Sequence, residues 1–149
     1  MSVSAQEVLW CTAALLDQGR IVDRLSRPLT IAALVGLLIA PALDADLARR
    51  SVTLAIAVAI AGLAETYFAV RVSFDAALFH HLAGSTAPGE AVFTATDAAM
   101  TQLGLLPAAK VGRSAEARAA GAKQLLRWQI LACVIQVASG LGGALIALG

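Results

Sequence analysis

Charge is what this sequence has least of: 14% of its 149 residues are Asp, Glu, Lys or Arg, where a soluble domain has about a quarter. Eleven basic and ten acidic side chains nearly cancel, to a formal +1. No basic run interleaves with aromatics, so the electrostatic footprint of a nucleic-acid binder is missing and nucleic acid is not an expected partner. Cysteine is scarce too. Cys11 and Cys133 have no metal-type spacing, and Cys133 falls in an apolar run where a small buried thiol is the ordinary reading, so no disulfide is expected. The two histidines, His80 and His81, are adjacent and point about 100° apart on a helix, so they cannot share one metal ion or haem. Neither a metal nor any other cofactor is expected. There is no nucleophile elbow, Gly-rich phosphate loop or HExxH, and the chain reads as a non-enzyme. MSVSAQEV carries no basic region ahead of an apolar block, so a cleaved signal peptide is not expected.

Apolar side chains make up 59% of the sequence and they are organised, with long uncharged stretches separated by short charged clusters. The pattern predicts a single all-α, polytopic membrane domain over 1–149. Ser4 and Glu7 have capping-box spacing ahead of Val8, Leu9, Ala13 and Leu16, which predicts an amphipathic interfacial helix at ~5–18, ended by Gly19. Pro28 stands where a helix can begin, and the uncharged run to Leu43 predicts a first transmembrane helix at ~28–43. Asp44, Asp46, Arg49 and Arg50 read as a polar turn, with Ser51 capping a second span at ~52–74 that extends to ~83 without a proline. Residues 84–91 are turn material. Thr94 with Asp97 reads as the start of a second amphipathic interfacial helix at ~92–105, broken by Pro107. Ser114 caps the helix that carries the third span, ~128–148. Basic residues gather before spans one and three, which predicts a cytoplasmic N-terminus, and a composition heavy in Ala, Leu, Gly and Val reads as that of a bacterial inner-membrane protein.

Glu65 lies within a turn of the middle of the predicted second span, where an ionisable group is costly, by about 2.5–3.5 kcal/mol or more. Ala61, Gly62 and Ala69 flank it at helical spacing, a small-residue stripe suited to close packing. Ala132, Gln136, Gly140, Gly143 and Ala147 form a matching face on span three, and similar depths predict a Glu65–Gln136 hydrogen bond. Arg71 and Asp75, four apart, are expected to pair near the headgroups. Tyr67, Phe68, Phe74 and Phe79 read as core or lipid-facing aromatics.

The function these residues imply is a small non-catalytic subunit, docking through small-residue helix faces onto a larger membrane transport or redox complex. Its expected partners are the lipid bilayer and other membrane subunits or copies of itself. The alternative is a homo-oligomeric channel or proton-coupled transporter that uses Glu65 as its proton or ion group.

Overall fold

Ser4 accepts from the Glu7 backbone N–H and the Glu7 carboxylate accepts from the Ser4 N–H, so a complete capping box starts the first helix. The structure, a computed structural model, describes residues 4–42, 45–85 and 89–148, and among these all regular structure is helical. The α-helices are α1 (Ala5–Asp17), α2 (Gly19–Ile39), α3 (Ala45–Ala83), α4 (Gly89–Gln102) and α5 (Ala115–Leu148). Short 3-10 turns occupy Ala40–Ala42 and Ala108–Lys110. Leu43 and Asp44, the side chain of Ser51 and that of Ala147 lie outside the described residues.

Several boundaries differ from the sequence expectation. α2 starts at Gly19 and runs straight through Pro28, so the arginine-rich stretch is helical instead of a lead-in to a helix at Pro28. Proline removes one backbone hydrogen bond, to the Arg24 carbonyl. The turns before it are held by burial of Gly19 and Ser26 against the neighbouring helices, and Pro28 itself faces outward. Gly19 is needed for close approach and not for a turn: a Cβ there would come within 2.8 Å of Val72 Cγ1 and of Gln129 Oε1. The expected polar turn at 44–50 is also largely helix, because α3 already begins at Ala45. α4 begins at Gly89, so Thr94 and Asp97 are mid-helix residues. It ends at Gln102, ahead of Pro107, because Gly104 takes φ +70° and lets the Leu105 N–H reach the Met100 carbonyl at 2.8 Å, a Schellman closure.

α3 has 39 residues and is about 58 Å long at ~1.5 Å per residue. It is the rod on which α1, α2 and α5 pack. At one end, Leu9, Ala13 and Leu16 of α1 meet Val72, Ala76, Phe79 and Ala83 of α3 and Ala115, Ala119, Ala122 and Leu126 of α5. Each set recurs at intervals of three and four, so three helical stripes converge on one apolar core, with Val92 and Phe93 of α4 against it. The apolar stripe of α1, expected to lie on lipid, is thus covered by protein. At the other end the interior is thin: Ala33, Val58 and Ala59, with Leu29 and Leu37 against them.

Two helical stretches, Val52–Ala83 and Ala115–Ala144, are long and apolar enough to cross a membrane, and their composition points to membrane association. Only 28% of the apolar window in each is buried within the protein, unlike the core helix of a soluble domain. α2, with four charged residues in its first half, does not meet the same measure of length and composition, so a third span is not established by it.

Candidate functional site

Where the three long helices meet, the buried side chains are polar. Ser26 and Thr30 of α2, Glu65 of α3, and Gln129 and Gln136 of α5 are all buried, four of them completely. The spacings explain the meeting: Ser26 and Thr30 are four apart, and Gln129 and Gln136 seven apart, so each pair lies on one helix face.

Gln136 is fully satisfied. Ser26 Oγ donates to its Oε1 at 2.6 Å, and its Nε2 donates to Thr30 Oγ1 at 2.8 Å and to the Ser26 carbonyl at 3.3 Å. Thr30 Oγ1 in turn donates to the Ser26 carbonyl at 3.1 Å. Gly62 makes this possible, since a Cβ there would collide with Thr30 Oγ1 and stand 2.6 Å from Gln136 Nε2.

Two turns toward the N-terminus of α5, Gln129 Nε2 donates to Glu65 Oε1 at 2.8 Å and to the Gly19 carbonyl at 2.9 Å. The expected Glu65–Gln136 pair is therefore corrected: Glu65 meets Gln129, and Gln136 belongs to α2. Register decides this. Gly62 abuts Thr30 and Gln136, and Gly143 approaches Leu54, with 3.1 Å between its Cβ position and Leu54 Cδ1, which slides α5 until Gln129 reaches the carboxylate. Glu65 Oε2 and Gln129 Oε1 are left buried with no protein donor.

The same register fixes which part of α2 lies opposite Glu65. With Gly62 against Thr30 and Val72 against Gly19, the antiparallel pairing sets Glu65 level with the Ser26–Arg27 turn. Arg27 is the last charged residue of α2 before its apolar run.

The other expected residues divide. Ala61 and Gly62 are buried between helices, and Gly143 packs on Leu54. Ala69 lines a cavity. A Cβ on Gly140 would meet nothing within 4 Å, so there is open space beside this half-buried glycine. Arg71 and Asp75 make no direct ion-pair contact, although the Arg71 charge still acts on the Asp75 carboxyl; the Arg71 guanidinium lies over the Tyr67 ring, 5.7 Å from its centroid. His80 bonds Asp17 at 2.9 Å and meets Trp10 edge-on at 5.8 Å, tying α3 to α1. Among the described residues no three His, Cys, Asp or Glu side chains gather as a metal centre requires.

Sequence reasoning missed Gln129 and the Ser26–Thr30 pair, although an amide one heptad before Gln136 was a readable signal. It also missed a second polar cluster away from the seam. The Asp97 carboxylate accepts two 2.8 Å bonds from Arg118 Nη2 and one of 2.8 Å from the Gly112 N–H. Burial pushes the Asp97 carboxyl up, but Gly112 and Arg118 more than offset this and hold it below the usual carboxylate range. Arg118 also lies 5.2 Å from the Phe93 ring centroid and donates to the Arg113 carbonyl, so the segment between α4 and α5 is latched at both ends.

Comparison with protein-family models, curated proteins and solved structures gives no match to this chain.

Proposed function

We propose that the chain is a small integral membrane protein of the bacterial inner membrane that serves as a non-catalytic subunit, docked on a larger membrane transport or redox complex or on copies of itself. In this reading α2, α3 and α5 are three spans and the N-terminus is cytoplasmic. The distribution of basic residues supports the orientation, since all Lys and Arg except Arg49 and Arg50 lie toward the end where α1 packs. From Arg27 to the turn at Ala42 α2 offers about 22 Å, less than the ~30 Å hydrocarbon thickness, and a snorkelling Arg27 with local thinning accommodates the difference.

One observation carries the docking role. The buried polar side chains Ser26, Thr30, Glu65, Gln129 and Gln136 tie the long helices together, while half-buried glycines have open space beside them: at Gly36 of α2 and at Gly140 and Gly142 of α5 a Cβ would meet nothing within 4 Å. Small residues on a lipid-level face permit close approach of another helix. The test is purification from the native membrane in mild detergent with identification of every co-purifying chain, for wild type and Gly140→Leu. A stoichiometric membrane partner or second copy is expected with wild type. It should be lost in Gly140→Leu while the melting temperature is maintained, since a Cβ at this position has open space around it. A solitary monomer, or a partner kept by the variant, overturns the proposal.

The unpartnered Glu65 Oε2 and Gln129 Oε1 favour one second reading, a homo-oligomeric channel or proton-coupled transporter in which the Glu65 carboxylate takes up a proton or cation. Full flux through Glu65→Gln in liposomes would exclude it.

A further inference from the structure

Beside the polar seam a cavity of about 340 Å³ opens between the first turns of α2 and the middle of α3. Its α2 wall carries Arg20, Arg24 and Arg27, spaced four and three residues apart and therefore on one face, with Asp23 among them. Its α3 wall carries Thr66, Val70 and Ser73. Three guanidinium groups against one carboxylate leave the lining with a formal charge of +2. Arg27 is held by Asp23 at 2.6 Å and Arg20 lies 3.6 Å from Asp17, whereas Arg24 has no carboxylate within ion-pair distance among the described residues. The Thr66 and Ser73 hydroxyls donate to carbonyls of their own helix, at 2.9 Å each, so the hydrogen-bond donors facing the cavity are the arginines. Planar guanidinium forks in such an array match the oxygens of a phosphate.

The position of the cavity narrows the ligand. It faces α3 from Thr66 onward, immediately on the charged side of the level marked by Glu65 and Arg27. Val70 belongs to its wall and also to an outward stripe, Ile56, Ile60, Leu63, Tyr67, Val70 and Phe74, that is 44–64% exposed and runs alongside the cavity and on along α3 beyond it. A site for an anion thus continues into an apolar track, the two halves of an anionic phospholipid. Basic pockets between helices at this level suit such headgroups.

We propose that this groove binds the phosphate of an anionic phospholipid, with Arg20, Arg24 and Arg27 on the headgroup and the outward stripe of α3 along an acyl chain. The inference rests on the membrane placement proposed above and is independent of the docking role. A free phosphate would present the same anion without the chains.

The test is native mass spectrometry of the full chain in mild detergent, supplied in turn with phosphatidylglycerol, phosphatidylcholine and inorganic phosphate. Wild type should retain one phosphatidylglycerol in preference to phosphatidylcholine by at least about tenfold. Arg24→Gln should weaken that preference and the Arg20→Gln/Arg24→Gln/Arg27→Gln variant should abolish it, with helical content and melting temperature maintained because all three side chains are exposed. Equal retention of the two lipids, or a preference that survives the triple substitution, overturns the proposal. Retention of inorganic phosphate without lipid overturns the lipid assignment. Fractionation of cells separates the premises: a chain found in the soluble fraction defeats the membrane placement, while a membrane-bound chain with no lipid preference defeats only the site.

Discussion

The two ends of the long helices are built on opposite rules. Around α1, leucine, valine and phenylalanine are inside and charge, apart from the Asp97–Arg118 pair, is outside: Leu16 is 1% exposed, in a core drawn from three helices. Toward the other end the order inverts. Leu38 is 81% exposed, and apart from Val58 what the helices enclose is small or polar, alanines with Gly62, Ser26, Thr30 and Gln136. The first end is held by removal of apolar surface from water. The second gains little that way if its surroundings are apolar, and relies on close backbone approach and hydrogen bonds between helices.

Substitutions should separate the two regimes. Leu16→Ala leaves a cavity in the core at the α1 end and should cost about 2–5 kcal/mol in detergent-solubilised unfolding. Gly62→Val drives a side chain into Thr30 and Gln136 and should cost about 1–3 kcal/mol, read in the same assay. The Asp97–Arg118 latch brings a pH dependence confined to the first end. A carboxyl whose pKa is depressed in the folded protein contributes fully above its unfolded value of about 3.9, and the contribution disappears as pH falls through the folded value. The melting-temperature advantage of wild type over Asp97→Asn should therefore be constant at neutral pH and shrink in acid below about pH 4. Gln136→Leu removes the hydrogen bonds to Ser26 and Thr30 and should cost about 0.6–2 kcal/mol, with Ser26→Ala adding little to it in a double-mutant cycle. Least of all, Leu38→Ala should change unfolding by under about 0.5 kcal/mol, since it uncovers no interior. A cost for Leu38→Ala equal to that for Leu16→Ala would erase the distinction between the ends.

What was legible in the sequence follows from how local each signal is. Ser4 with Glu7, and Ser114, whose Oγ accepts from the Ala117 N–H, mark helix starts through hydrogen bonds spanning three residues. The run of α3 from Val52 to Ala83 was legible because no proline interrupts it, whereas its start at Ala45 was not. Pro28 misled because a proline suits either a first turn or an exposed helix position lacking one bond, and contacts from Gly19 and Ser26 to other helices chose the latter. For the site, the small stripe around Glu65 and the amide face of α5 were visible, but not their partnering. The offset between α3 and α5 is set by Gly62 and by Gly143 on Leu54, contacts between residues far apart in sequence, and a shift of two turns exchanges Gln129 for Gln136.

Gln136 reaches across 110 residues of chain to Ser26. During synthesis α2 and α3 emerge and can pair as a hairpin while α5 is still unmade, so Ser26, Thr30 and Glu65 wait without the amides that will cover them. α5 is then the closing element of assembly, fixing the register of two helices that precede it. With the membrane placement proposed above, a chain stalled before residue 129 would display a row of uncovered polar groups in an apolar setting, a feature that distinguishes the unfinished protein from the finished one.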